Sequence, residues 1–338
     1  MKSQITVSAC YNVKSGYNTI LKTVLEQTKS FSIRPRSYSM VSSEFVKYFE
    51  HIKYEKELCD LCIMPPCNLI DITHPIFHII PHKNRILFTM WESTRTSDIF
   101  IDQLNKMKCV IVPNKWNCIN FQNQGCIVPI HIVPLFADVE LFNYTQPSNN
   151  DCFVFGVANN DPRKRMYDVI KCFINAFPNE KNVKLKIKST TPLDFRFTDS
   201  RIDISESFFT QYELKNWYGS IDVFVSGVSA EGWGLMQHES MLCGRPVVAT
   251  KYAGLSEFIN ETNSYCLNYT EEKSSGYWET AGGKWSKYDD NHLIETLRYC
   301  YNNRSDVVSK GLTAHNDMSK YTEDVFIKNI ETIIINSL

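Results

Sequence analysis

The chain of 338 residues has no apolar run near the roughly 18 residues that a membrane-spanning helix needs. Neither sign of charge dominates: 36 Lys and Arg stand against 37 Asp and Glu, a net charge of −1. A globally basic nucleic-acid or membrane binder is therefore not indicated, which leaves only a local basic patch for such a role. There is no internal repeat and no low-complexity tract. The opening residues, MKSQITVSACYN, alternate like a strand and lack the pattern of a secretory signal. A soluble, cytoplasmic protein is expected. A paired metal-binding cysteine pattern is also missing. CDLCIMPPC holds Cys59, Cys62 and Cys67, but one C-x-x-C without a second pair reads as strand cysteines rather than zinc ligands. The 12 cysteines are scattered, as reduced, buried small hydrophobes are. No D-x-D stands at an expected strand end; YDD at Tyr288–Asp290 follows SSGYWETAGGKWSKYDD, which reads as a loop.

The chain does have ample core material, with 43% hydrophobic and 22% charged residues. Its length suits two domains at roughly 100–200 residues each. Short apolar runs alternate with amphipathic ones: ITVSACY, then YNTILKTVLEQT; CDLCIMP, RILFTM, KCVIVPN and IHIVPLF follow. That alternation is the mark of a parallel sheet covered on both faces. It pauses at TQPSNND, a polar stretch with Pro147 that suits a linker. A second set then begins with CFVFGVAN and MYDVIKCFINAF, and continues through VKLKIKS, IDVFVSGV and RPVVAT. The expected organisation is an α/β protein of two Rossmann-like domains facing a cleft. The first covers 1–147 and the second 148–320. A final helical segment, 321–338, is free to pack back on the first domain.

The stretch SAEGWGLMQHESMLCGRPVVATKYAGLSEFI, residues 229–259, is the most informative. It reads as strand, Gly-rich turn, helix, tight turn, strand. Gly232 and Gly234 bracket Trp233 and let the backbone approach a ligand closely. A helix starting near Gly234 offers free N–H groups and a positive dipole end, which suit phosphate. Glu231 precedes the turn and Glu239 lies one or two turns into the helix, so both can face one cleft. Gly244 ends the helix and Pro246 opens the next strand, as capping favours.

This segment resembles the E-x7-E signature of retaining glycosyltransferases with the GT-B fold, especially family four (glycosyl transferases group 1). Glu231 and Glu239 have the signature's spacing, and EGWGLMQHESMLCGRPVVAT matches the pattern along nearly its whole length. The resemblance implies that Glu231 holds hydroxyls of a donor sugar and Glu239 the ribose hydroxyls of a nucleotide. It also implies that N–H groups around Gly234 and Leu235 meet a phosphate. FGVANNDPRKRMYDVIKCFINAF resembles the family's strand-loop-helix whose cations bind the donor diphosphate. Arg163 and Lys164 fall at its basic positions. A leaving diphosphate needs such cations, because charge develops on it in the transition state. Two departures stand out: a frequent Gly-Arg is Gly156-Val157 here, and the usual Lys-Gly is Lys164-Arg165. Arg163 or Arg165 then supplies the missing charge.

In the first half, Gly16 and Tyr17 of KSGY lie where the family has a glycine-containing loop near donor phosphate and acceptor. An ordinary β-α turn explains them equally. In FTMWEST, Trp91 stands at or near the place of a family histidine, with Glu92 beside it. The ring suits stacking on a sugar, and the carboxylate suits a hydroxyl, a base role or an oxocarbenium-like centre. The alternative is that Trp91 packs beneath the cleft and Glu92 caps a helix beginning around Ser97. His74, His78 and His82 in ITHPIFHIIPH read as core or surface residues. Asn114 and Trp116, at a helix start after KCVIVPN, suit an acceptor wall.

The implied activity is retaining transfer of a hexosyl or pentosyl group from a UDP- or GDP-linked sugar to an acceptor hydroxyl. It needs no metal and no further cofactor. The acceptor stays open: a glycan, a lipid-linked sugar, a protein, a small molecule or a modified DNA base. The Lys-, Asn- and Ile-rich composition suits a viral or AT-rich source, and then a host's cytoplasm, but the near-neutral charge does not indicate DNA. A sugar-nucleotide epimerase or hydrolase, and a sugar-nucleotide-binding protein without turnover, are the alternatives.

Overall fold

The computed structural model describes residues 4–9, 16–37, 59–63, 84–147, 151–159, 161–193, 197–276 and 281–338. Lys14, Cys67, the three histidines of ITHPIFHIIPH and the middle of TQPSNND lie outside them. The chain divides into two compact units. One is Met1–Phe136 with Glu323–Leu338, and the other is mainly Ala137–Glu279 with Gly283–Thr322.

The first unit holds a parallel sheet in the order β2-β1-β3-β4-β5-β6. Its strands are β1 (Gln4–Ala9), β2 (Ser32–Ser37), β3 (Asp60–Ile63), β4 (Arg85–Phe88), β5 (Cys109–Val112) and β6 (Ile130–Ile132). The central strands β3, β4 and β5 are buried at every residue, as expected for strands covered on both faces. Among the described residues, α1 (Gly16–Gln27), α2 (Asp98–Leu104) and α3 (Lys115–Asn123) lie between them. SIRPRS is a strand that sequence patterning misses, because Pro35 argues against one. An edge position tolerates it. The last helix, α9 (Glu323–Ser337), also belongs to this unit. Its Phe326 ring lies 6.0 Å from Phe88 and 4.8 Å from Phe136. Its Glu331 accepts from the backbone N–H groups of Lys29 and Ser30, each at 2.8 Å.

The second unit holds a parallel sheet in the order β12-β11-β10-β7-β8-β9. The strands are β7 (Phe153–Ala158), β8 (Val183–Ser189), β9 (Ile202–Glu206), β10 (Val223–Val225), β11 (Val247–Thr250) and β12 (Ser264–Leu267). Helices α4 (Met166–Ala176), α5 (Gln211–Gly219), α6 (Leu235–Leu242), α7 (Asp290–Asn302) and α8 (Arg304–Met318) accompany them. Helix α4 shows why it forms where it does. Met166, Val169, Ile170, Phe173 and Ala176 recur at helical spacing and are all buried. They join Phe153, Phe155, Val183, Leu185 and Leu297 in one core cluster.

The expected loop before α7 is corrected in part. Lys284–Tyr288 is a strand, β14, paired antiparallel with β13 (Tyr269–Lys273). Trp285 is buried against this pairing, and its indole N–H donates to Glu272 at 3.1 Å. A run of five residues gives too short an alternation to declare a strand without its partner.

Candidate active site

In the second sheet the chain runs from β7 outward to β8 and β9, then returns to the other side of β7 as β10. The order reverses at the β7–β10 junction. The carboxyl ends of the strands at such a switch point are where open α/β sheets bind ligands. The two loops that meet there are the ones the sequence singles out, 159–165 and 226–234.

The first loop is built by local capping. Asp161 precedes Pro162 and its Oδ1 accepts from the Arg163 N–H at 2.8 Å, starting a 3-10 turn over Pro162–Lys164. Arg165 then adopts a left-handed backbone, φ 48°, and α4 begins. The two loops are stitched together: the Ser229 N–H donates to the Arg163 carbonyl at 2.9 Å. Ser286 of β14 props the second loop, its N–H and Oγ both directed at the Ser229 carbonyl, at 3.0 and 2.6 Å.

This arrangement places Arg163 and Lys164 on one carboxylate. Arg163 Nη1 lies 3.1 Å from Glu231 Oε2, and Lys164 Nζ donates to Oε1. Arg163 also donates to the Ala230 carbonyl. Burial by itself pushes the Glu231 carboxyl up, but the Lys164 and Arg163 charges outweigh it and hold it at about 2. Glu231 is therefore ionised throughout the neutral range.

Arg165 goes elsewhere. Its Nε donates to Ser229 Oγ at 2.7 Å and its Nη2 pairs with Glu272 of β13. Expected among the donor-binding residues, it ties the loop to the β13–β14 hairpin. The left-handed backbone at 165 also accounts physically for a glycine at that place, since an L side chain there costs roughly 1–2 kcal/mol.

Helix α6 opens as expected. Gly234 is its N-cap with φ 102°, and a Cβ there would lie 2.5 Å from Leu255 Cδ2. Gly244 ends it with φ 76°. Gly254 escapes sequence inspection. Its N–H donates to the Glu231 carbonyl at 2.8 Å, and a Cβ on it would stand 2.5 Å from the Gly232 carbonyl oxygen. Only glycine lets this segment press against the turn. Trp233 points inward at 1% exposure, packed on Phe258 and Tyr321. Its indole N–H donates to His238 Nδ1 at 3.1 Å. Burial holds His238 at about 3, so the ring is neutral with its proton on Nε2. A donor contact at Trp233 is thus left to the main chain. Leu235 is the first residue of α6 and is partly buried.

Glu239 has an opposite environment. Burial pushes it up to about 7, against the Tyr218 hydroxyl, which donates to its Oε2 at 3.0 Å, and the charge of Lys188. Lys188, at the end of β8, is a buried cation that sequence reading missed. VKLKIKS hides it among alternating lysines.

In the first unit, the 89–97 loop is clamped by one face of α3. Asn117 Oδ1 accepts from the Trp91 N–H at 2.7 Å, Asn120 Nδ2 donates to the Ser93 carbonyl at 2.9 Å, and Gln124 Oε1 accepts from the Thr96 N–H at 2.7 Å. These amides stand at i, i+3 and i+7, one stripe of a helix. Tyr17, just inside α1, accepts from the Met90 N–H through its hydroxyl at 3.1 Å. Gly16 opens that helix. Trp91 itself is 4% exposed and its Nε1–H donates to the Arg95 carbonyl at 2.8 Å. The ring lies in the packed interior rather than open to stack on a sugar. Glu92 is partly exposed on the loop, and it does not cap α2: Ser97 does, accepting from the Phe100 N–H. Trp116 is partly buried, while Asn114 caps α3.

Comparison with known proteins agrees with this geometry. The family model described as glycosyl transferases group 1 matches residues 153–275, the segment that carries both loops. Short local matches join the chain to D-inositol 3-phosphate glycosyltransferases of Paenarthrobacter aurescens, 45% identical over 49 residues, and of Arthrobacter sp., 47% over 47 residues. Each covers 14% of this chain and only 12% or 11% of the relative's length. Among solved structures, sucrose-phosphate synthase from Thermosynechococcus elongatus superposes with a TM-score of 0.74 at 13% identity, over 99% of both chains. S. aureus TarM, in a structure that contains UDP, gives 0.64 at 16% identity, over 86% of this chain and 58% of its own. The fold is therefore GT-B, that of the expected glycosyltransferases. Within it, the match to the glycosyl transferases group 1 model falls on the second unit.

Proposed function

We propose that the chain is a retaining glycosyltransferase that moves a sugar from a UDP- or GDP-linked donor to an acceptor hydroxyl. The observation that carries this reading is the convergence of Arg163 and Lys164 on Glu231 at the sheet's switch point. Two cations held there by an ionised carboxylate are preorganised to receive a diphosphate. As the sugar–phosphate bond breaks, negative charge grows on the leaving oxygen, and cations already in place stabilise it without reorganising. Arg163 supplies a fork and Lys164 a point charge. The N–H groups at the start of α6 add a further anion site. Glu231 is held ionised beside them as an acceptor for sugar hydroxyls, and Glu239 is placed to take the ribose hydroxyls. With these groups neutralising the diphosphate, the reaction needs no metal. The acceptor attacks the face that the diphosphate leaves, and a leaving phosphate oxygen takes its proton. Glu92 is the partly exposed carboxylate of the clamped loop and is assigned to the sugar or acceptor.

The test is a screen of UDP- and GDP-sugars for a raised melting temperature, followed by product analysis with candidate acceptors. A ligand bound only by the folded state raises the transition. Stabilisation by a nucleotide sugar, with an α-linked product from an α-linked donor, supports the reading. An inverted product removes the retaining assignment, and donor consumption independent of acceptor points to a hydrolase.

A further inference from the structure

Among the described residues of the second unit, Lys188 is a buried cation to which the roles above give neither a ligand nor a protein partner. Lys188 is 6% exposed at the carboxyl end of β8, beside β7 and so next to the switch point. Its backbone is fixed there, the carbonyl accepting from the Asn159 N–H at 2.8 Å. Its ammonium makes no hydrogen bond or ion pair among the described residues. The contact it does make is with a ring: Nζ lies 5.5 Å from the Phe209 centroid. The aliphatic stem is packed while the Nζ itself stays accessible to a ligand, and the nearby π-face is only a weak partner for it. Burial accordingly pulls Lys188 down from its ordinary value, opposed by Glu239. Lys188 and Glu239 share one electrostatic neighbourhood without forming an ion pair. The loop that carries Phe209, between β9 and α5, also presents Phe208 at 60% exposure, and the first turn of α5 presents Tyr212 at 73%. One aromatic face, Phe209, thus stands beside a donor that makes no hydrogen bond among the described residues.

With diphosphate assigned to Arg163 and Lys164 and ribose to Glu239, the remaining part of a donor nucleotide is its base. We infer that Lys188 is a specificity residue of the donor site, donating to the keto oxygen at C4 of uracil or C6 of guanine and so favouring those nucleotides over cytosine or adenine ones, which carry an amine at that position. An ammonium has three donors and no acceptor. It pairs with the carbonyl there and finds no acceptor in the exocyclic amine that replaces it. A site built around a polar contact rejects the analogue that cannot make it, because the buried group is left unpaired.

This inference rests on the donor reading above, and one experiment separates the two. Binding of UDP, GDP, CDP and ADP is measured by calorimetry on the intact chain, its Lys188→Met variant and its Lys188→Gln variant, with melting curves for each. The wild type is expected to prefer the keto pair. Lys188→Met should weaken the preferred nucleotide about tenfold or more, the scale of a hydrogen bond from a charged group, while CDP and ADP change little. Lys188→Gln, which keeps a donor, should fall between. The melting temperature of Lys188→Met should hold, since Met keeps the packed stem and no hydrogen bond or ion pair to the described residues is lost. An unchanged keto-to-amino ratio in Lys188→Met overturns the inference alone. So does a uniform loss of all nucleotides together with a lower melting temperature. If none of the four binds the folded wild type, the donor reading fails and takes this inference with it.

Discussion

Glu231 and Glu239 stand eight residues apart on one turn and helix, and their surroundings drive them in opposite directions. Two cations hold the first at about 2, whereas burial lifts the second to about 7. Carboxyl groups pushed apart in this way take different roles. Near neutral pH, Glu231 is a fixed negative charge and Glu239 a group whose charge ligand and pH can set.

The first prediction concerns Glu239 and pH. Its folded value lies above the ordinary 4.5, so its contribution to stability is present below 4.5 and is lost as pH rises through about 7. Without ligand, the wild type should lose melting temperature relative to Glu239→Gln over that window. Nucleoside diphosphate affinity should move the other way, rising as the carboxylate forms to accept ribose hydroxyls. Calorimetry from about pH 6 to pH 8 reads this out. Glu239→Gln should show a lower affinity and a flatter profile; equal profiles remove the ribose role.

Glu231 has the opposite sign. Its folded value is depressed, so its ion pairs contribute above 4.5 and that contribution fades as pH falls through about 2. Glu231→Gln should destabilise the protein at pH 7 by up to on the order of 3 kcal/mol, and progressively less in acid. Chemical denaturation at neutral and acid pH compares the two. A cost that does not shrink in acid means packing, not charge, is lost.

Turnover should separate Lys164 from the fold. Lys164→Ala is expected to lower the rate at saturating donor by about 2–4 kcal/mol of barrier, because it serves charge that develops on the leaving group. Arg163→Ala should behave similarly. EDTA should leave activity intact; a complete loss restored by metal contradicts charge neutralisation by these side chains.

Arg165 should behave as a structural residue. Both Arg165→Ala and Arg165→Gly remove its ties to Ser229 and Glu272, but only glycine relieves the left-handed backbone. The glycine variant should be more stable by about 1 kcal/mol, with turnover of the two alike. Equal melting temperatures would argue against strain at 165.

In the first unit, Trp91→Ala should chiefly lower stability, by about 3–5 kcal/mol for a fully buried ring. Glu92→Gln should keep the melting temperature and donor affinity yet reduce transfer. Parallel melting curves and initial rates on the two variants check this, and a wild-type rate in Glu92→Gln makes that loop scaffold only.

Much of the second unit was legible in the chain because its signals are local. DPRK announces a capped turn through Asp161 and Pro162, and α4 shows its buried stripe at fixed spacing. The glycines around Trp233 mark a turn that α6 then follows. β14 was not legible, since its five residues become a strand only against β13. The clamp on the 89–97 loop was hidden for a related reason. Asn117, Asn120 and Gln124 look like an unremarkable polar helix face until a distant loop lies across it.

The sequence by itself determined the alternation of strands and helices, the positions of the glycine turns, and the spacing that puts Glu231 and Glu239 on one segment. These follow from backbone preference and periodicity, which act over a few residues. Only the tertiary structure decided which cation serves which carboxylate, that Trp91 and Trp233 point inward, that Gly254 props the Glu231 turn, and that Lys188 is buried beside Glu239's surroundings. Those facts depend on residues from separate elements meeting, at the switch point in the second unit and across α3 in the first. Burial and pairing, not residue type, then fix each group's charge there.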